Sequence, residues 1–226
     1  MTIQKKIDLQ GADAMKVGFI GLGNVGGKLA GSLLRNGFDT TVRDLDKAAA
    51  QKFLDAGAGW ADSPRELAEQ CDLVITCLPS PKICAAVMEE PDGVLAGLGE
   101  GKIWAEMSTT DVEEVKRLAA LVEAKGAAAI ECPVSGGCHR AATGNISIFA
   151  GCDRSTFDRM LPLLTTLGRR VLHTGPIGTA SMLKVMTNYL ATANLITMGE
   201  ALVTMKAAGM DLATTYEAIA ISSGTS

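Results

Sequence analysis

The sequence predicts an α/β chain: a doubly wound sheet followed by an all-helical segment. Three observations carry this expectation. Short apolar runs alternate with helical patterns from about residue 16 to 173. A glycine-rich turn joins the first run to the first helix. The composition changes at Gly175-Pro176-Ile177-Gly178, after which one long helical pattern begins. Strands alternating with helices favour a largely parallel, doubly wound sheet.

The elements follow in order. A short buried strand is expected over 16–20, then the turn Gly21-Leu22-Gly23, then a helix over 24–35 stopped by Asn36-Gly37. A strand over 40–43 ends at Asp44, and a helix covers 47–55. Further strands are expected at 73–78, 102–107, 127–132, 146–150 and 170–173. Helices are expected at 82–88, from Thr110 or Asp111 as cap to about 125, and at 155–164. The long helix covers 179 to about 208, with Gly209 as its stop, and a last helix spans 211–221. The apolar residues of the long helix are not confined to one side, which suggests packing between two bodies. Its Met182, Met186, Met198 and Met205 read as core filling. This divides the chain into an N-terminal extension (1–14), a sheet domain (15–176) and the start of a helical domain (177–226).

Composition narrows the function. With 226 residues the chain holds one large domain, or one and part of a second, and 47% apolar residues suffice for a core. A net charge of −4 supplies no field for nucleic acid or anionic lipid, so neither nucleic acid nor membrane is expected as a partner. Residues 1–14 lack the apolar core of a signal peptide, and no stretch is long and apolar enough to span a bilayer, so a soluble, cytoplasmic protein is expected. The six cysteines form no C-x-x-C pair and are expected as reduced thiols, many of them buried. Only two histidines are present, and no metal site is expected.

Gly21-x-Gly23-x-x-Gly26 has the spacing of a dinucleotide fingerprint of the Rossmann type. Gly21 permits the tight turn, Gly23 lets backbone approach a pyrophosphate, and Gly26 lets helix and strand pack closely. The segment Gly21, Leu22, Gly23, Asn24, Val25 and Gly26 is therefore the expected phosphate cradle, and the helix N-terminus offers its N–H groups there. Asp44, eighteen residues after Gly26, is placed to accept from the adenosine ribose hydroxyls and to repel a 2′-phosphate. The expected cofactor is NAD. Arg43 beside it keeps NADP open, since a guanidinium could pair with a 2′-phosphate.

Two further segments add chemistry. One is Glu131-Cys-Pro-Val-Ser135-Gly136-Gly137. The other is Gly175-Pro-Ile-Gly178 followed by Lys184 and Asn188, four apart and so on one helical face. A lysine whose pKa is lowered by partial burial can exchange a proton with a hydroxyl group during hydride transfer. Taken together, GFIGLGNVGGKLA, CPVSGG and GPIGTASMLKVMTN resemble the three signatures of the β-hydroxyacid dehydrogenase family, in its order. The resemblance runs from about Met15 to the end of the chain. It implies that Lys184 is the general acid/base and that Asn188 orients it and the substrate. It implies that Ser135, Gly136 and Gly137 hold the substrate carboxylate. It places Leu78 and Pro79 along the cofactor channel and Thr109 near the nicotinamide. The implied partner is a small hydroxyacid or its carbonyl product; the apolar faces of the long helix separately suggest a homodimer or homotetramer.

Three departures stand out. Arg140 occupies a position where the family has glycine; it could pair with a second acidic group of the substrate, or be a solvated loop charge, with His139 a less favoured proton relay. Thr187 stands where phosphogluconate dehydrogenases have histidine, which argues against phosphogluconate. The family's helical domain continues beyond Ser226, so the helical domain here reads as incomplete. Two other readings remain: a reductase of small aldehydes, semialdehydes or imines, and a non-catalytic dinucleotide-binding scaffold.

Overall fold

The computed structural model describes residues 15–225; the extension expected over 1–14 lies outside them. Six strands pair in parallel: β1 (Val17–Ile20), β2 (Thr40–Arg43), β3 (Gly59–Trp60), β4 (Leu73–Thr76), β5 (Ile103–Glu106) and β6 (Ala128–Glu131), in the order β3-β2-β1-β4-β5-β6. Beyond β6 the sheet becomes mixed. β8 (Ile146–Gly151) runs antiparallel to β6, where Glu131 faces Gly151. β7 (Val134–Ser135) pairs antiparallel with β8, and β9 (Gly168–Gly175) pairs parallel with it. The strand order reverses between β1 and β4, and in open α/β sheets ligands bind outside the carboxyl ends of the strands at such a switch point.

Period-two alternation along the strands separates two cores. Val17, Phe19, Leu73, Ile75, Ile103 and Ile130 point to one face, where they meet α1 (Gly26–Arg35), α2 (Lys47–Leu54) and α8 (Arg154–Leu167) through residues such as Leu29, Leu33, Phe53 and Met160. Ile20, Val74 and Trp104 point to the other. There they meet α3 (Pro64–Gln70), α4 (Pro81–Glu89), α5 (Val94–Gly97) and α6 (Val112–Glu123) through Leu67, Met88, Val94 and Leu118. Strands covered on both faces read as continuous apolar runs, which is why they were visible in the sequence.

The structure adds elements that periodicity did not show. Between 56 and 72, where no element is expected from pattern, β3 and α3 form; α3 opens with Ser63, whose Oγ accepts from the Glu66 N–H while Glu66 accepts from the Asp62 N–H. This is a variant of the capping box, legible as Ser63-Pro-Arg-Glu66, in which Glu66 reaches one residue past the N-cap to the Asp62 N–H. Helix α1 begins at Gly26, two residues after the expected start, because Asn24 and Val25 form a turn. Helix α8 runs three residues beyond its expected end, with Pro162 accommodated inside it. The segment carrying His139 and Arg140 is not a loop but a short helix, α7 (Gly137–Ala142), on which both side chains are exposed.

The chain divides into two compact units, one ending at Lys184 and the other beginning at Val185. Helix α9 (Thr179–Ala207) crosses that boundary, and α10 (Leu212–Ala220) lies in the second unit. Only Ala180, Ser181 and Lys184 of α9 are buried. Met182 and Met186 are exposed, so within this chain they do not fill a core as expected. A unit made of the rest of α9 and the nine residues of α10 has too little mass to cover a helix on all sides. Among the described residues no helix is long and apolar enough to cross a membrane.

Candidate active site

A cavity of about 680 Å³ opens at the carboxyl ends of the central strands. Its floor is the β1–α1 turn. Gly21 has φ +99°, a left-handed conformation that favours glycine, and a Cβ there would sit 2.3 Å from the Cys77 carbonyl oxygen. A Cβ on Gly26 would fall 2.0 Å from the Gly21 carbonyl oxygen, so the helix can approach the strand only without one. Gly23 is different: a Cβ there meets no protein atom within 4 Å, and the residue borders the cavity. The turn therefore leaves space for a ligand at Gly23.

The N-terminus of α1 has no side-chain cap. By contrast α2, α3, α4, α6, α8 and α10 are capped by Asp46, Ser63, Ser80, Asp111, Asp153 and Asp211. An uncapped N-terminus keeps donors and a partial positive charge available to an anion, and here it faces the cavity through Asn24, Val25 and Gly26.

Asp44 stands at the cavity wall, half-buried. Its Oδ2 accepts from the Leu22 N–H at 2.6 Å and its Oδ1 from the Asp46 N–H at 3.1 Å. These bonds hold the carboxylate still and leave lone pairs toward the cavity. Beside it the Arg43 guanidinium lies 5.2 Å from the Trp60 ring centroid, with Lys47 at 5.1 Å. Arg43 Nε is buried without a hydrogen-bond partner. An orphaned donor next to a fixed acceptor is the kind of edge that a ribose or its phosphate would complete. The residues present thus fit a dinucleotide.

Leu78, Pro79 and Thr109 also line the cavity, with Ile83 and Val87 of α4 and with Met107. The two loops behind them are braced together. The Leu78 N–H donates to Ser108 Oγ at 2.8 Å, and the Ser108 N–H donates to Glu106 Oε1 at 2.6 Å. Glu106 Oε2 also accepts from the Thr76 hydroxyl and the Cys84 thiol, both at 2.7 Å. Burial raises the Glu106 pKa above the ordinary carboxylate value. Sequence reading passed over Glu106; the available signal was a lone charged residue ending the apolar run Ile103-Trp-Ala-Glu106.

Lys184 reaches the same cavity from the start of α9, with only 8% of its surface exposed. Burial lowers its pKa below the ordinary lysine value, because loss of water disfavours the charged form. Asn188 stands one turn further along α9. The first turn of α9 is held by a second residue that sequence reading did not single out, Glu131, the last residue of β6, which is 0% exposed.

The structure therefore brings Gly21, Gly23, Asn24, Val25, Gly26, Asp44, Leu78, Pro79, Thr109, Gly137 and Lys184 around one space. It does not bring four others: Asn188, exposed on α9 beyond the unit boundary at Lys184, is not among the lining residues, and neither are Leu22, Ser135 and Gly136. The Leu22 side chain is in the core, and its N–H is occupied by Asp44. Ser135 ends β7, and Gly136 precedes α7; neither borders the cavity, although Val134 and Gly137 on either side do. All six cysteines are free thiols. Burial pushes the Cys77 pKa up to about 12 and the Cys71 pKa to about 11, so neither is a thiolate at neutral pH. Among the described residues no three His, Cys, Asp or Glu side chains converge as a metal would require.

Comparison with known proteins places this geometry. Residues 16–175 match the family described as the NAD binding domain of 6-phosphogluconate dehydrogenase. Residues 178–226 match the family described as NAD-binding of NADP-dependent 3-hydroxyisobutyrate dehydrogenase. The 2-(hydroxymethyl)glutarate dehydrogenase of Eubacterium barkeri is 32% identical over 213 residues, 94% of this chain and 71% of that protein. The mitochondrial 3-hydroxyisobutyrate dehydrogenase of Mus musculus is 33% identical over 213 residues, 94% of this chain and 64% of that protein. The solved structure of Mycobacterium tuberculosis 3-hydroxyisobutyrate dehydrogenase with L-serine superposes with a TM-score of 0.86 at 27% identity, covering 93% of this chain and 71% of that one. The chain thus spans about two thirds of the length of these relatives.

Proposed function

The chain belongs to the NAD(P)-dependent β-hydroxyacid dehydrogenase family that includes 3-hydroxyisobutyrate dehydrogenase, and we propose that it interconverts a small β-hydroxyacid and its carbonyl product, with Lys184 as the general acid/base. The observation that carries this reading is one lysine, buried and with a lowered pKa, in the same cavity as an uncapped glycine-turn helix and Asp44.

Bound nicotinamide dinucleotide would accept or supply the hydride. The chain's own residues do the rest. Neutral Lys184 takes the hydroxyl proton as the alcohol is oxidised, and returns it in reduction. Asn188, one turn away, orients the lysine and the substrate hydroxyl. The Ser135-Gly136-Gly137 segment, which meets the cavity at Gly137, holds the substrate carboxylate with a hydroxyl and backbone N–H groups. The α1 N-terminus with Gly23 takes the pyrophosphate, Asp44 the ribose hydroxyls, and Leu78, Pro79 and Thr109 the nicotinamide side. We assign NAD as the preferred form on the strength of Asp44. The orphaned Arg43 Nε, stacked at Trp60, favours NADP as the second reading, since a 2′-phosphate would satisfy it.

The test is turnover, followed at the nicotinamide absorbance, with 3-hydroxyisobutyrate, 3-hydroxypropionate, 2-(hydroxymethyl)glutarate, serine and glycerate, NAD and NADP in parallel. Turnover of any of these that is lost in Lys184→Ala supports the reading. Measurable NADH binding without turnover of any would overturn it.

A further inference from the structure

We infer that Glu131 is the positioning residue for Lys184: a buried carboxylate at the end of β6 that clamps the first turn of α9 and so sets where the lysine stands. This rests on the reading of Lys184 as the proton-transfer group.

Glu131 Oε1 accepts from the Gly178 N–H at 2.6 Å and the Ala180 N–H at 2.9 Å. Its Oε2 accepts from the Ser181 N–H at 3.1 Å and the Ser181 hydroxyl at 2.5 Å. The first N–H groups of a helix have no partner inside it, and a negative charge is favoured where they converge. The other capped helices with a local side-chain cap take it from the residue just before them. Helix α9 instead takes its carboxylate from a strand nearly fifty residues earlier in the chain. The contact is therefore tertiary, and it fixes the helix to the sheet rather than merely ending it.

The anchored residues lie on the same face as the lysine. Ala180, Ser181 and Lys184 are the buried residues of α9, and they are spaced by three and four, which places them in one stripe. Strand β6 continues directly into the Pro133–Gly137 segment proposed to hold the substrate carboxylate. One side chain thus joins the segment that would grip the substrate to the helix that would move its proton. Room for the clamp depends on the neighbouring strand. Gly151 faces Glu131 across the β6–β8 pair, and a Cβ on it would lie 2.4 Å from Glu131 Oε1.

The experiment compares Glu131→Gln and Gly151→Ala with wild type and with Lys184→Ala, measuring kcat, substrate KM, NADH affinity, Tm and the pH profile of kcat. Glutamine keeps the shape but presents an NH2 where an oxygen accepted from the helix; alanine at 151 displaces the carboxylate without changing it. The expected result is a fall in kcat of about 10–100-fold in both, the scale of a misplaced catalytic group. NADH affinity should stay within about twofold, and the midpoint of the pH profile should move. Wild-type kcat in both variants would overturn the proposal. So would a loss of kcat in step with NADH affinity and Tm on an unmoved pH profile, since that returns Glu131 to a purely structural role. If Glu131→Gln does not fold, Gly151→Ala is judged by the same criteria. Lys184→Ala is the separate control: if it keeps turnover, the lysine reading itself has failed.

Discussion

Two carboxylates stand at the carboxyl ends of parallel strands, and they do opposite work. Asp44, just after β2, is half-buried; two backbone N–H groups hold it, and it still faces the cavity. Glu131, at the end of β6, is fully buried, and its four donors all come from Gly178, just before α9, and from the first turn of α9. The same chemical group borders an open cavity at one rim and is enclosed by the protein at the other. What decides is who uses the lone pairs. Where the protein leaves them unspent a ligand can take them; where it uses them all, the residue becomes a joint.

This contrast makes the two rims separable by mutation. The largest effect is expected for Lys184→Ala at the β6–α9 rim: turnover falls by about 10²–10⁴-fold while NADH binding, measured by fluorescence, is retained. Loss of both together would mean the rims are not independent. Next comes a pair at the glycine turn. Gly26→Ala drives a Cβ onto the Gly21 carbonyl, and overpacking of this kind costs about 1–3 kcal/mol, visible as a lower Tm in calorimetry. Gly23→Ala meets no protein atom, so Tm should hold while NADH affinity falls. If Gly23→Ala instead lowers Tm and spares binding, the space at Gly23 is not a ligand cradle. Asp44→Ala should cost NAD about tenfold in affinity, the scale of one charged hydrogen bond, and narrow its advantage over NADP with kcat little changed. An unchanged NAD/NADP ratio would remove Asp44 from the ribose role.

The smallest effect to resolve is the pH midpoint. Oxidation needs neutral Lys184, and burial lowers its pKa from the ordinary 10.5. The oxidation rate should therefore rise with pH through a midpoint below that value, and the rate of reduction, which needs the protonated form, should fall through it. A midpoint at or above the ordinary lysine value would show that Lys184 is more solvated at work than its 8% exposure implies.

Much of the first unit was legible before any coordinates. The strands β1, β4 and β5 are covered on both faces and so appear as unbroken apolar runs. Gly21, Gly26 and Asp44 could be placed because their roles depend on local spacing after a strand. The short helices α3, α5 and α7 were missed because four to seven residues carry too little periodicity to announce themselves. Arg140 looked like a loop residue for that reason.

The sequence by itself determined the doubly wound class, the glycine turn opening a helix, and the lysine four residues before Asn188. Each follows from the period of a strand or helix or from the spacing of a few neighbours. Only the tertiary structure decided how Lys184 is buried, which orphaned nitrogen sits beside Asp44, and that Glu131 holds α9. Those depend on residues distant in the chain meeting across the sheet, with Gly151 leaving room for a carboxylate and Ser108 receiving the N–H of Leu78. Local patterns record how a segment folds on itself. They do not record which far-off donor will consume a lone pair, and at this site that assignment separates a group left for the ligand from a group that holds the fold.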